Sequence, residues 1–298
     1  MISINKNRNR SKYTFANINL LGNCNADCYF CLGKDISEQL KGKNQLNIHF
    51  LEWLNFECFL QQCKNEGVSK LYLTGQTADG LQYKYLNEII DYLQSDGFTV
   101  GVRTNGYLAK QKMTSIQKMK DEIGYSIHTL IPEKNKIIMG KDFLPNWKEI
   151  IPLSGKNVRI SIVLNRYNID EFESLISFAT SFDNVKYIQI RRISTDTRIE
   201  LLQEDIDLYE KFYDKFSKEN KQVGNFYLAE QYNLNGKEVN FWRTVETSCN
   251  SFNYFTDGTC SNEYFIVEGY LKNLNKFEKL EAGGQKNKNY GQVTTNVH

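Results

Sequence analysis

The sequence predicts an α/β protein built on a parallel sheet, and three observations carry that prediction. Short apolar stretches alternate with amphipathic helical stretches six times between residue 15 and about residue 220. Short, mainly apolar strands in such units imply a parallel sheet covered by helices, and right-handed crossovers curl such a sheet towards a barrel. The chemistry-bearing residues fall just after the strands, where ligands of parallel α/β sheets gather.

Taken in order, residues 15–21 alternate enough to form the first strand, which Gly22 ends. Residues 33–47 are polar and punctuated by glycine, as in a surface loop. Residues 50–66 place Leu51, Leu54, Phe59, Leu60 and Cys63 at mostly helical spacing, with Cys58 and Cys63 as small core or boundary residues. Strands are expected at 70–74, 99–103, 123–127, 158–164 and 187–191, with helices at 83–95, 108–120 and 170–181. The helical stretch before residue 151 is interrupted by Pro132 and Pro145, and Asp170 is expected as an N-cap. Residues 201–220 form a long amphipathic helix with Leu208, Phe212 and Phe216 on one side.

Composition narrows the class. A chain of 298 residues buries a substantial core, and 41% hydrophobic with 24% charged residues is ordinary for a globular protein. A formal charge of +2 argues for neither nucleic acid nor an acidic membrane as partner. No apolar run approaches the roughly 20 residues of a spanning helix, and the N-terminus lacks the apolar core of a signal peptide. Seven cysteines without an export signal fit metal use in a reducing compartment, with the cytoplasm as the default.

The chain is organised around Cys24, Cys28 and Cys31, spaced C-x3-C-x2-C directly after the first strand. Closely spaced thiolates select zinc or iron–sulfur clusters. A closed structural zinc site takes four protein ligands, and the nearest His, His49, lies eighteen residues beyond Cys31. Three ligands leave one metal corner open. Three free cysteines, or zinc with a distant fourth ligand, are the alternative readings of this loop alone.

The loop resembles that of the radical S-adenosylmethionine (SAM) superfamily, in which C-x3-C-x-aromatic-C holds a 4Fe-4S cluster whose fourth iron chelates SAM. The resemblance implies a partial (βα)6 TIM-like barrel over residues 15–222, with Cys24, Cys28 and Cys31 as iron ligands and Phe30 packed near the adenine. Where the family usually carries Gly-Gly-Glu-Pro, this chain reads Thr74-Gly75-Gln76-Thr77-Ala78. Gly75, Gln76 and Thr77 are therefore expected to hold the SAM amino group without a carboxylate. Asn105 of Thr104-Asn105-Gly106, Ser126, Asn165 and Arg191 complete the SAM candidates in order at strand ends. Arg191 is preferred to its neighbour Arg192 because alternate residues of a strand face opposite ways. His128 is read as a hydrogen-bonded scaffold residue.

Residues 1–14 read as a strap, 223–280 as an irregular α+β extension over the barrel mouth, and 281–298 as a flexible tail. The extension is rich in aromatics and resembles the start of a SPASM or twitch segment, but lacks the later cysteines, so a single cluster is expected. Cys249 and Cys260 are candidate hydrogen-atom donors, with buried structural cysteine as the other reading. The resemblance implies a SAM-cleaving enzyme with an electron donor such as flavodoxin or ferredoxin. Its substrate is expected to be a peptide, with a small metabolite or nucleotide, as in viperin-like enzymes, as the alternative. A non-catalytic iron–sulfur or zinc protein, and a regulatory domain that keeps the fold without SAM, suggested by the altered Gly75-Gln76-Thr77 segment, are the remaining alternatives.

Overall fold

The computed structural model describes residues 13–155, 157–195, 197–226, 229–243 and 251–261. Strand β1 (Phe15–Leu20) shows the principle of the architecture. Its Ala16, Ile18 and Leu20 are fully buried in the main apolar core, whereas Asn17 and Asn19 face the other way. The same period of two recurs in β2 (Lys70–Gly75), β3 (Thr99–Thr104), β4 (Ile123–Ser126), β5 (Val158–Val163) and β6 (Val185–Arg191). These strands pair in parallel in chain order.

Helices α1 (Phe56–Asn65), α2 (Leu86–Ser95), α3 (Met113–Lys118), α4 (Pro132–Met139), α5 (Trp147–Leu153), α6 (Phe172–Thr180) and α7 (Ile199–Glu219) lie between or after the strands. Leu86, Ile89, Ile90 and Leu93 of α2, at helical spacing, and Leu175, Ile176 and Ala179 of α6 supply the apolar partners of the sheet's outer face. The inner face is polar: Asn17, Thr74, Arg103, Ser126, Arg159, Ser161 and Arg191 line its cavity. A barrel filled only by its own side chains carries stacked branched apolar residues there. Here those polar side chains share the cavity wall with Phe30, Met139, Ile193 and Trp242.

The described part of the C-terminal extension, within residues 224–226, 229–243 and 251–261, continues the sheet at both edges. β7 (Gly224–Phe226), β8 (Ala229–Leu234) and β9 (Lys237–Trp242) form antiparallel pairs, and β9 runs parallel to β6. β10 (Ser251–Phe255) pairs in parallel with β1, and β11 (Cys260–Ser261) returns antiparallel to it. The sheet has eleven strands among the described residues, in the order β11-β10-β1-β2-β3-β4-β5-β6-β9-β8-β7, and hydrogen bonds do not close it. Aromatic packing explains the docking of β10: Tyr254 lies 5.4 Å from Phe56 and 5.0 Å from Phe59 of α1, centroid to centroid.

Three local expectations change. Pro132 opens α4 instead of breaking a helix, because the first helical position has no intrahelical N–H partner to lose. The helix expected at 108–120 shrinks to α3, since Lys110, Gln111 and Lys112 offer nothing to bury. Asp170 does not cap α6; Glu171 stands at the N-cap position without a capping hydrogen bond, and Asp170 pairs with Lys134 at 2.7 Å. The expected hairpin at 262–271, the strap, the tail and Cys249 lie outside the described residues. Among the described residues no helix is long and apolar enough to cross a membrane.

Candidate active site

A cavity of about 320 Å³ opens at the carboxyl ends of the parallel strands. Cys24, Cys28, Phe30, Cys31, Gly75, Asn105, Ser126 and Arg191 all line it. The cysteine loop is fixed from several sides before any ligand binds. Gln82 Nε2 donates to the Asn23 carbonyl at 3.0 Å, and its Oε1 accepts from Asn25 N–H at 3.2 Å. The carbonyls of Met139 and Ile138, at the end of α4, accept from Asp27 and Tyr29 N–H at 2.9 and 3.2 Å. Gly140 terminates α4 with φ +69°, where a Cβ would stand 3.0 Å from Asp27 Cβ. Arg198, just before α7, donates to the carbonyls of Tyr29 at 2.8 Å and Cys31 at 2.7 Å.

The thiols suit a cluster. Burial pushes the Cys28 and Cys31 thiols up, and the neighbouring cysteines raise Cys28 further. Burial likewise pushes Cys24 up to about 11, opposed by donors from Ala26 N–H at 3.5 Å and Asn105 Nδ2 at 3.7 Å. Ligation must therefore displace protons, which a thiophilic metal does. Among the described residues no three His, Cys, Asp or Glu side chains converge on one ion. The three sulfurs instead border a shared cavity, where they would serve as separate ligands of a thiophilic cluster. The donor set fits the implied group.

Asp79, which no strand-end or cysteine spacing singles out, organises the opposite wall. Its buried carboxylate accepts from Thr104 Oγ1 at 2.7 Å, Asn105 N–H at 2.7 Å and Leu81 N–H at 2.9 Å. Burial raises this carboxyl and the three donors oppose the rise. Asn105 is thereby aimed at the cysteine loop, where its Nδ2 donates to Asn25 Oδ1 at 2.7 Å. The signal was present: Asp79 and Gln82 form a capping box around a short 3-10 turn at Gly80–Gln82.

Phe30 packs edge-on to His128 at 5.1 Å, centroid to centroid. His128 is buried and its Nδ1 accepts from Val163 N–H at 3.0 Å, as a scaffold residue does. Burial, then the Arg191 charge, pushes it down to about 3, so the ring is neutral. Arg191 and Arg192 both border the cavity, but Arg192 is paired with Glu210 at 2.5 Å. Arg191 stacks over Trp242 at 6.0 Å and makes no ion pair among the described residues. Beneath lie Arg103 and Arg159; Arg159 pairs with Glu122 at 3.2 Å and Gln189 at 2.6 Å. A Cβ at Gly124 would stand 2.4 Å from Arg159 Nη2, so the missing side chain makes room for that guanidinium.

Four sequence candidates lie elsewhere. Thr77 Oγ1 accepts from Gly22 N–H at 3.2 Å, and Thr77 borders the far side of the cysteine loop. Gln76 is buried, and its carbonyl would stand 2.2 Å from a Cβ at Gly33. Both back the cysteine loop instead of facing the cavity, because the tight turn at Gly75 carries the chain away. Asn165 turns onto its own loop, donating to the Val163 carbonyl at 2.9 Å and accepting from Tyr167 N–H at 2.9 Å. Cys260 sits on β11 against the core and not in the cavity. Burial, then Asp257 and Cys58 of α1, pushes its thiol up to about 12.

Residues 18–179 match the profile of the Radical SAM superfamily. A probable GTP 3',8-cyclase of Sulfurisphaera tokodaii is 24% identical over 198 residues, covering 63% of this chain and 59% of the relative. An S-adenosylmethionine-dependent nucleotide dehydratase of a Thermoplasmatales archaeon is 26% identical over 162 residues, covering 52% of this chain and 54% of the relative. The chain thus spans little more than half the length of these relatives. Among solved structures, Streptococcus suis SuiB bound to S-adenosylmethionine superposes with a TM-score of 0.53 at 15% identity, over 84% of this chain and 60% of SuiB. SuiB bound to its precursor peptide SuiA gives 0.53 at 14% identity, over 86% and 61%.

Proposed function

The chain belongs to the radical SAM superfamily of enzymes, and from that premise we propose that it cleaves SAM reductively at one 4Fe-4S cluster and takes a hydrogen atom from its substrate. The observation that carries the reading is the convergence of Cys24, Cys28 and Cys31 with Phe30, Gly75, Asn105, Ser126 and Arg191 on one cavity. When bound, the cluster supplies one electron to the SAM sulfonium, releasing methionine and a 5'-deoxyadenosyl radical that abstracts the hydrogen.

This chain's residues do the positioning. Cys24, Cys28 and Cys31 would hold the iron, in the cavity that Asn105 and Ser126 also border. Phe30 offers an apolar face for the adenine, against the neutral His128. Arg191 holds a carboxylate by a charge-assisted contact. Gln76 and Thr77 act through the cysteine loop that they buttress. Backbone carbonyls around Gly75 are left to accept from the SAM ammonium. The reading carries a low-potential electron donor such as flavodoxin or ferredoxin, in a reducing, cytoplasmic setting.

A peptide is the first substrate reading, supported by the fold shared with SuiB, a protein crystallised with its precursor peptide. A small anionic metabolite such as a nucleotide is the second. One observation favours it: Arg191 lines the cavity without an ion pair among the described residues, whereas Arg159 and Arg192 there are paired with Glu122 and Glu210. The two curated relatives are named for nucleotide chemistry. The test is anaerobic reconstitution with iron and sulfide, then reduction with SAM and an assay for 5'-deoxyadenosine. Product that vanishes in Cys28→Ala supports the reading; a formed cluster that yields none in the wild type overturns it.

A further inference from the structure

Arg198 and Asp35 form a buried ion pair that the proposed chemistry does not yet use. The guanidinium makes three directed contacts: Nε to Asp35 Oδ1 at 2.6 Å, Nη1 to the Tyr29 carbonyl at 2.8 Å and Nη2 to the Cys31 carbonyl at 2.7 Å. The Asp35 side chain is fully buried and also accepts from Thr195 Oγ1 at 2.8 Å. Arg198 follows β6, the sixth strand of the core, whereas Cys31 follows β1, and β1 and β6 do not pair with each other. One side chain thus ties the two ends of the barrel mouth together at the third cysteine.

The pair is oriented. Its positive group touches the cysteine loop and its negative group lies behind, on the short 3-10 turn at Leu32–Ile36. A cluster gains one negative charge on reduction, so a fixed positive charge beside one of its ligands favours the reduced form. We infer that Arg198 is a positioning residue that sets the Cys31 end of the loop and, by its charge, makes a cluster there easier to reduce. The inference rests on the proposed cluster, but concerns residues that neither the spacing of the cysteines nor the resemblance names.

The test is a potentiometric titration, read by electron paramagnetic resonance, of reconstituted wild type, Arg198→Gln, Arg198→Lys and Asp35→Asn. At a fixed poise, Arg198→Gln is expected to lower the reduced-to-oxidised ratio by roughly tenfold, equivalent to about 59 mV for one electron. Asp35→Asn, which leaves the positive charge uncompensated, is expected to move the midpoint upwards. Arg198→Lys keeps the charge and is expected to stay near wild type in potential while losing iron faster to a chelator, since an ammonium lacks the fork. Opposite shifts in the two neutralising variants separate charge from damage, which would move both alike. If Arg198→Gln takes up no cluster, the upward shift of Asp35→Asn decides the matter, and its absence overturns the inference. Loss of the cluster from both variants assigns the pair a purely structural role and also overturns it. A loaded wild type whose variants share its potential sinks this inference alone, whereas a wild type that takes up no cluster sinks the proposed function with it.

Discussion

The Asp79 carboxylate accepts the Asn105 backbone N–H at 2.7 Å, joining the turn after β2 to the turn after β3. Through Asn105 the same carboxylate reaches Asn25 of the cysteine loop, so three successive strand ends share one buried acceptor. Asp79→Asn keeps the shape but sets an amide N–H₂ among donors. The expected outcome is a loss of about 1–3 kcal/mol, seen in urea denaturation of the apoprotein, together with weaker retention of iron.

Gly75 tests the turn itself. A Cβ there would stand 1.6 Å from the Ala78 carbonyl oxygen, a backbone atom that cannot swing aside. Gly75→Ala is expected to cost about 3 kcal/mol or more and to abolish SAM binding. A variant with an unchanged urea midpoint would show that the turn relaxes freely.

Arg191 tests recognition without stability, since it pairs with no carboxylate among the described residues. Arg191→Ala is expected to weaken SAM binding by roughly 10- to 100-fold, the range of a lost charge-assisted contact. Its denaturation midpoint should stay close to wild type. Equilibrium dialysis of the reconstituted protein with SAM measures this, and unaltered SAM affinity with impaired turnover would assign Arg191 to the substrate.

His128 gives the protein a predictable acid limb. Its folded pKa is about 3, whereas the unfolded ring titrates near 6.5, so the unfolded chain binds the extra proton between those values. Its contribution to stability is therefore complete above pH 6.5 and lost as pH falls through that window. From pH 7.5 to pH 5 the loss is about 2 kcal/mol for this one group. His128→Gln is expected to flatten the curve by that amount in paired denaturation curves, and an identical slope would rule the assignment out.

Much of this protein was legible in one dimension. The period-two strands, the order of the βα units and the cysteine spacing are local patterns, because a strand's alternation and a loop's ligand spacing depend on neighbours in sequence. Asn105, Ser126 and Arg191, counted from strand ends, and Phe30, from the cysteine spacing, all border the same cavity. Gln76, Thr77 and Asn165 do not, because each sits one tight turn past a strand. There the direction of a side chain is set by hydrogen bonds to Gly22, Tyr167 and the backbone around them.

The tertiary structure alone decided the rest. Asp79 looks like any capping residue until three donors from two loops meet on its oxygens. Arg198 and Asp35 are 163 residues apart, and no local pattern pairs them across the mouth of an unclosed barrel. The aromatics of 251–255 carry no βα rhythm, yet they join β1 because Phe56 and Phe59 present a matching face. The sequence determined the fold class and the three-cysteine loop, since both are encoded by periodicity and spacing. The supports of that loop were decided by long-range packing and buried hydrogen bonds, whose energies depend on partners that only the folded chain brings together.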